Sequence, residues 1–409
     1  MAEPRRILFV TIPEKGHVNP LIGPAQVLAD AGHELAFFAA DDLTPQLARA
    51  GLSARSYTPG PAPPRVSRGA AFVEQLRDRA WLRRWIAELL VESVPSQVPA
   101  LRKLIRELRP HVVVTDPMVY AAVLAADAEG VPWAGVSSSL NPVTPGDWRC
   151  ELTDTVRELS PARGRLFAAH GPVPRFAVCD AISPWLNTVF TVEDYAPRAR
   201  SGNDFSFYVG APEPQRARGD EQPFPWARLD EGAPLVYLSL GSQLFHHPEL
   251  FVTVAAALAD SDVQLVISAG DLAADEPFLR RLPERTIVVS YAPQLPLLER
   301  AQLVLTHGGA NSVVECLRRG LPMVMLPVCN DQHLQARFLL ESGAGRVLDP
   351  TALTVENTRA AVLPLLTAGA PERKRAQAVG RAFSTRNGAA RTAELIAALA
   401  RSGQPQRPV

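Results

Sequence analysis

THGGANSVVE, residues 306–315, joins an apolar run (LVL, 303–305) to a stretch of helical character (313–319). A plain connecting turn needs one glycine. This one has two, with a histidine before them and Asn311 and Ser312 after them. A strand C-terminus feeding a helix N-terminus is where open α/β sheets bind ligands. Unpaired N–H groups and the positive dipole end of such a helix attract phosphate. Gly308 and Gly309 lack side chains, which lets a phosphate reach the backbone. Asn311 and Ser312 suit a helix start and can donate to an anion, and His307 adds a donor from the strand side. Glu315, on the first helical turn, suits the hydroxyls of a ribose. Taken alone, an ordinary capped glycine-rich turn accounts for the stretch as well.

The neighbouring strand ends tip that balance. NDQ (330–332) follows the apolar PMVMLPV, and Asp331 with Gln332 offers the acceptors and donors that sugar hydroxyls need. YAPQ (291–294) ends another strand, with Tyr291 able to stack on a base. SLGSQ (239–243) ends a third, with Gly241 and Ser242 at its tip. Four polar or glycine-rich strand ends on one sheet edge describe a nucleotide-sugar site.

Outward from this stretch the chain alternates apolar runs with amphipathic segments: RILFVTI (6–12), ELAFFAA (34–40), HVVVTD (111–116), VPWAGVSS (131–138), then LVYLSLG (235–241) and its successors. Continuously apolar strands between helices imply parallel sheets covered on both faces. With 409 residues, two α/β domains are expected. A Pro-, Gly- and charge-rich linker at 211–232 separates residues 1–210 from 233–390, and 391–409 forms a C-terminal helix and tail that packs back on the first domain. Residues 71–90 read as one amphipathic helix, and 141–184 as an irregular segment that shapes a substrate pocket.

Net formal charge is zero and charged residues make up 21%, which argues against a nucleic-acid partner or an anionic membrane surface. No apolar segment approaches the ~18 residues of a membrane helix, and the N-terminal apolar run is too short for a signal peptide. Cys150, Cys179, Cys316 and Cys329 are widely spaced without CxxC, as expected of reduced thiols in a cytoplasmic protein. Only three lysines stand against many arginines, a sign of a GC-rich genome.

The block 291–332 resembles the donor-binding box of the UDP-glycosyltransferase family, inverting enzymes of the GT-B fold, and GHVNP (16–20) matches that family's N-terminal signature. The resemblance implies two Rossmann-like parallel-sheet domains facing across a cleft. It implies that Tyr291, where the family usually has Trp, stacks on the base, and that the Ala292 backbone pairs with the base edge. Gln294 and Glu315 would hold the ribose. Ser242, His307, Gly309, Asn311 and Ser312 would meet the diphosphate, and Asp331 and Gln332 the transferred sugar.

His17, in what reads as a turn between Gly16 and Pro20, follows the first strand, and Asp116 ends another strand of the same domain. An imidazole titrating near neutrality can take the acceptor's proton, and an acid behind it fixes the tautomer. His33 and His111 stand at strand starts, the wrong edge. His246 and His247 form a solvated turn, and His333 faces solvent. The letters DSD (260–262) imitate a metal-binding motif but precede their strand, so no metal is expected. The expectation is a hexosyltransferase that needs no cofactor beyond its nucleotide-sugar co-substrate. UDP-glucose is the preferred donor and a dTDP-deoxysugar the competitor. The acceptor is a small apolar natural product touching Phe72, Trp85, Trp148 and Phe176, and the protein is a monomer or homodimer. A UDP-sugar epimerase would not need His17, a non-catalytic nucleotide-sugar-binding helper tends to lose the base or phosphate residues, and a nicotinamide dehydrogenase would show an early GxGxxG.

Overall fold

The computed structural model describes residues 3–59, 69–171 and 173–408. These fall into two compact units, one of residues 3–59, 79–220 and 386–408, the other of 69–78 and 221–385.

In the first unit the strands are β1 (Arg6–Val10), β2 (Glu34–Phe38), β3 (Arg55–Tyr57), β4 (Val112–Thr115), β5 (Trp133–Ser137), a short hairpin of β6 (Phe176–Ala177) and β7 (Asp180–Ala181), β8 (Leu186–Val189) and β9 (Phe207–Tyr208). Seven of them form a sheet in the order β3-β2-β1-β4-β5-β8-β9, parallel throughout. Every residue of β4 and β5 is buried, as the continuous apolar runs demand of strands covered on both faces. The second unit carries β10 (Leu235–Ser239), β11 (Gln264–Ser268), β12 (Ile287–Val289), β13 (Leu303–Thr306), β14 (Met323–Met325) and β15 (Gly345–Val347). They form a parallel sheet in the order β12-β11-β10-β13-β14-β15.

Each sheet changes winding direction once, beside its first strand. β1 lies between β2 and β4, and β10 between β11 and β13. Ligands of open α/β sheets bind at the strand C-termini where this reversal opens a crevice. His17 and Asp116 follow β1 and β4, whose last residues Val10 and Thr115 are in register. Gly241 and His307 follow β10 and β13, where Ser239 and Thr306 are in register. The fold thus puts each of these pairs beside its sheet's reversal.

Several local expectations are corrected. GHVNP is not a turn: the Lys15–Asp30 helix already includes it, with His17 and Val18 N–H both donating to the Glu14 carbonyl. Residues 71–90 are not one helix. Gly69–Gln75 ends in a tight turn, and Arg79–Ala87 follows before a π-helical turn at Glu88–Glu92. The apolar period runs through both pieces, but the first belongs to the second unit and the second to the first, and periodicity cannot show which core a residue enters. The segment 141–184 is not irregular either, since it holds the Glu151–Glu158 and Ser160–Ala168 helices and the β6–β7 hairpin.

The stretch read as a linker is half anchored. Residues 211–220 lie on the Lys15–Asp30 helix, where Gln26 Nε2 donates to the Ala217 carbonyl (2.8 Å) and Gln26 Oε1 accepts from Gln215 N–H (2.9 Å). Gly23 permits the approach, because a Cβ there would stand 2.6 Å from the Pro212 carbonyl oxygen. The charges that made this stretch look like linker include a buried ion pair, Arg218 with Asp220 at 2.8 Å. The chain returns to the first unit at Arg386, and in the Gly388–Ser402 helix Ile396 and Leu399 are wholly buried in a cluster with Val18, Leu21 and Ile22. Each such side chain contributes about 1.5–3 kcal/mol by burial, so this last helix is part of the first unit's core.

Candidate functional site

In the first unit three strand ends converge. His17 Nδ1 lies 2.7 Å from Asp116 Oδ2. Ser138, the residue after β5, donates to the same Asp116 oxygen at 2.6 Å and stands 3.0 Å from His17 Nδ1. Met118 N–H donates to Asp116 Oδ1 at 3.1 Å. Burial works to raise the Asp116 pKa, but the His17 charge and these hydrogen bonds outweigh it and hold the carboxyl below its ordinary value. An ionised carboxylate only accepts, so the proton between the two sits on Nδ1, the tautomer in which Nε2 is the basic nitrogen. The Asp116 side chain is 2% exposed and that of His17 24%, so the acid is sealed behind the ring.

Sequence reasoning missed Ser138 and a second buried carboxyl, Asp180 in β7. Ser137 Oγ lies 2.6 Å from Asp180 Oδ2, and Asn141 Nδ2 donates to Asp180 Oδ1 at 2.7 Å. Burial, with the Asp116 charge adding to it, pushes the Asp180 pKa up to about 7. The serine run 137–139 directly after an apolar strand was the available signal for Ser138. Asp180 had none, because it arrives on a hairpin that no periodicity announces.

In the second unit the turn after β13 differs from its first reading. Gly308 has φ +88, a conformation that L side chains resist. Gly309 is the N-cap of the Ala310–Arg318 helix, with ordinary extended φ and ψ of −60° and 132°. It is glycine for another reason: a Cβ there would stand 2.7 Å from His307 Nε2. Gly241, beyond β10, is constrained twice, by φ +78 and by a Cβ position 2.7 Å from His307 Cε1. The glycines therefore make room for the His307 ring. Burial pushes the His307 pKa down to about 4, so the ring is neutral at physiological pH. Asn311 and Ser312 are not caps but occupy the first helical turn.

Ser312 is tied into a cluster with Gln294 and Glu315. Gln294 Nε2 donates to Glu315 Oε2 at 2.5 Å and lies 3.2 Å from Ser312 Oγ. Tyr237 of β10, which sequence reasoning missed, reaches Gln294 Oε1 at 3.4 Å. Tyr291 follows β12 and is half-buried, while Ala292 is buried with its N–H 3.4 Å from Ser268 Oγ. After β14 the turn passes through Asn330 at φ 55, a left-handed value that Asn tolerates better than most residues. Asp331 occupies the N-cap position of the Gln332–Ser342 helix. Gln332 turns inward, its Oε1 accepting from Val328 and Cys329 N–H at 2.8 and 3.1 Å. Ser242 stands half-exposed beside Gly241.

Residues 228–369 match the family model described as UDP-glucoronosyl and UDP-glucosyl transferase. Among curated relatives, an NDP-glycosyltransferase YjiC of Bacillus licheniformis is 26% identical, covering 88% of both chains. A demethyllactenocin mycarosyltransferase of Streptomyces fradiae is 27% identical over 86% of this chain and 77% of its own. Among solved structures, a glycotransferase of kitacinnamycin superposes with a TM-score of 0.74 at 25% identity, covering 97% of this chain and 99% of its own. The chain is a glycosyltransferase, similar over most of its length to family 1 enzymes. Its two parallel-sheet units are those of the GT-B fold.

The aromatic residues expected to line the acceptor side of this glycosyltransferase are divided between the two units. Phe72 is fully buried in the second unit, whereas Trp85, Trp148 and Phe176 belong to the first. Trp85 stacks on Trp81 with centroids 6.1 Å apart, Trp148 is 1% exposed, and Phe176 packs against Tyr120 and Phe167 beneath the Arg163 guanidinium. His33 and His111 accept from the Arg5 and Arg6 N–H groups, tethering the start of β1. His246 stands 3.4 Å from Asp271, His247 is half-buried with its pKa lowered chiefly by burial, and His333 is exposed. Asp260 and Asp262 precede β11, at the opposite edge of the sheet from His307, where Asp260 pairs with Arg359. All four cysteines are free. Among the described residues no helix is long and apolar enough to cross a membrane.

Proposed function

We propose that this glycosyltransferase moves a hexose, glucose from UDP-glucose, onto a small apolar natural product with inversion at the anomeric carbon. The observation that carries the reading is the 2.7 Å hydrogen bond from His17 Nδ1 to the buried Asp116 carboxylate. That bond sets the tautomer in which Nε2 takes the acceptor's proton as its oxygen attacks the anomeric carbon, and Asp116 stabilises the imidazolium formed. The second unit holds the donor. Glu315 and Gln294, already joined, receive the ribose hydroxyls, Tyr291 stacks on the base and the Ala292 backbone pairs with its edge. The leaving diphosphate is met by N–H groups from Gly309 into the first turn of the Ala310–Arg318 helix, by Asn311, Ser312 and Ser242, and by the neutral His307 as donor. In this reading no metal or organic cofactor takes part. Asp331 and Gln332 receive the sugar, with Gln332 offering Nε2 because its Oε1 is engaged. The protein works in the cytoplasm as a monomer or homodimer.

The natural-product acceptor is supported by relatives such as the mycarosyltransferase and a 4'-demethylrebeccamycin synthase of Lentzea aerocolonigenes. The mycarosyltransferase also favours a second reading, in which the donor is a dTDP-deoxysugar. A nucleotide-release assay with UDP- and dTDP-sugars against phenolic, macrolide and amine acceptors separates the two. Turnover of dTDP-deoxysugars alone would overturn UDP-glucose. His17→Ala should bind nucleotide normally and lose transfer by about 10²-fold or more, and full activity in that variant would remove the base.

A further inference from the structure

Asp180 is a buried carboxyl that the transfer chemistry above does not use. It is 1% exposed, and the structure goes to some length to put it there. It lies on the β6–β7 hairpin, whose turn holds Val178 at φ 51. A left-handed β-branched residue is an outlier that persists only where its surroundings enforce it. Here Arg163 Nη1 donates to the Val178 carbonyl at 2.9 Å, and the Tyr120 hydroxyl donates to the Cys179 carbonyl. Ala181 N–H then donates to the carbonyl of Pro117, the residue directly after Asp116 (3.0 Å). The last of these contacts ties the hairpin to the strand end that carries Asp116.

The hydrogen-bond count around Ser137 is informative. Its hydroxyl has one proton, yet Asp180 Oδ2 at 2.6 Å and the Ser139 carbonyl at 3.1 Å both call for it, while Ser139 N–H donates to Ser137 Oγ at 3.3 Å and the Ser139 hydroxyl, able to donate or accept, lies 3.4 Å away. If Asp180 is a carboxylate, one of the two that call for the proton lacks it. If Asp180 is a carboxylic acid, it donates to Ser137 Oγ, and the hydroxyl is freed to donate to Ser139. We propose that Asp180 is a positioning residue for glycosyl transfer, a protonated acid that donates to Ser137 and thereby fixes the turn from which Ser138 holds His17 and Asp116.

The surroundings agree. The groups that face this region are Asp116 beyond β4, His17 on the Lys15–Asp30 helix, Ser137 and Asn141 at β5 and its following turn, Tyr120, Arg163 and the neighbouring Cys179. Arg163 is committed to the Val178 carbonyl and the Tyr120 hydroxyl. An ionised Asp180 would therefore be a second buried anion beside Asp116, which burial and like charge both disfavour. The direction of its pKa shift is the same.

The inference rests on His17 and Asp116 acting as the base, and its test has a readout independent of that. Infrared difference spectra of wild type against Asp180→Asn, on the acid side of neutrality, should show the carbonyl stretch of a protonated carboxylic acid in wild type only. Its absence from wild type overturns the proposal even if His17→Ala is inactive. Conversely, an active His17→Ala with the acid band intact overturns the base and leaves the protonation of Asp180 standing. Asn mimics the neutral acid as a donor to Ser137. Asp180→Asn should therefore keep the wild-type kcat and lose the fall in kcat/KM that wild type shows as pH rises through Asp180's titration. Asp180→Ala removes the donor and should lower kcat by about ten-fold or more through misplacement of the base. Superimposable pH profiles for wild type and Asp180→Asn, or an undiminished kcat in Asp180→Ala, would overturn the role.

Discussion

Gly309→Ala tests whether His307 dictates the glycine beside it. The backbone at Gly309 is already in a conformation any residue adopts, so the substitution adds no strain of its own. It should even gain about 0.4–1 kcal/mol by restricting the unfolded chain. Against this, the new Cβ would lie 2.7 Å from His307 Nε2 and 2.9 Å from Cε1, where carbon contacts normally sit at about 3.5–4 Å. The ring must retreat by roughly 1 Å, and overpacking of that kind costs about 1–3 kcal/mol. The cost should vanish when the ring is absent. Wild type, Gly309→Ala, His307→Ala and the double variant form a cycle measurable by equilibrium urea unfolding. In the His307→Ala background, Gly309→Ala should be neutral or slightly stabilising, giving a coupling of about 1–3 kcal/mol between the two positions. Calorimetric titration with UDP should show weaker binding for Gly309→Ala in parallel, because the displaced ring carries its donor with it. A coupling under about 0.5 kcal/mol, the ordinary error of additivity, would refute the reasoning.

Gly241→Ala meets the same ring but also holds φ +78; truncating His307 should relieve the clash and leave a residual of about 1–2 kcal/mol of left-handed strain. Glu315→Ala should weaken UDP by about ten-fold or more, as loss of a hydrogen bond to a charged group does, and weaken a 2'-deoxyribose diphosphate less; equal losses in calorimetry would mean Glu315 does not read the ribose. Two titratable groups should give stability slopes of opposite sign. The His307 pKa is lowered from 6.5 to about 4, so below 6.5 the unfolded state binds the extra proton and His307→Gln should lose less stability than wild type on acidification. The Asp180 pKa is raised from 3.8 to about 7, so the native state holds the extra proton between those values; wild type loses stability as pH rises through that window and Asp180→Asn should not. Thermal melts across pH read both, and parallel curves for wild type and variant would contradict either assignment.

What could be read from the sequence followed from how local its cause was. The strands were legible because a parallel strand buried on both faces reads as a near-continuous apolar run, as VVVT (112–115) and LVYLS (235–239) do up to their last residue. The proximity of His17 to Asp116 was legible because both lie just past the ends of strands in one sheet. Ser138 lay one residue beyond another such end and was passed over. Asp180 stayed hidden because its place depends on Arg163 and Tyr120 catching two carbonyls of a short hairpin. Gly309 in the 306–315 turn leaves space for the His307 ring, a contact between neighbours that the one-dimensional pattern did not show. The 211–220 stretch looked like linker because Pro, Gly and charge read as solvent-facing, whereas the Arg218–Asp220 pair is buried.

The Gly388–Ser402 helix has a mechanical consequence. Because it packs in the first unit's core with the Lys15–Asp30 helix, residues near both ends of the described chain belong to that unit, and the second unit's whole sheet is spliced between Asp220 and Arg386. A molecule pulled between β1 and this helix would carry the load through the first unit alone. The second unit would feel no tension until the helix peeled away, so an optical-trap trace should show the first unit's rupture always preceding the second's.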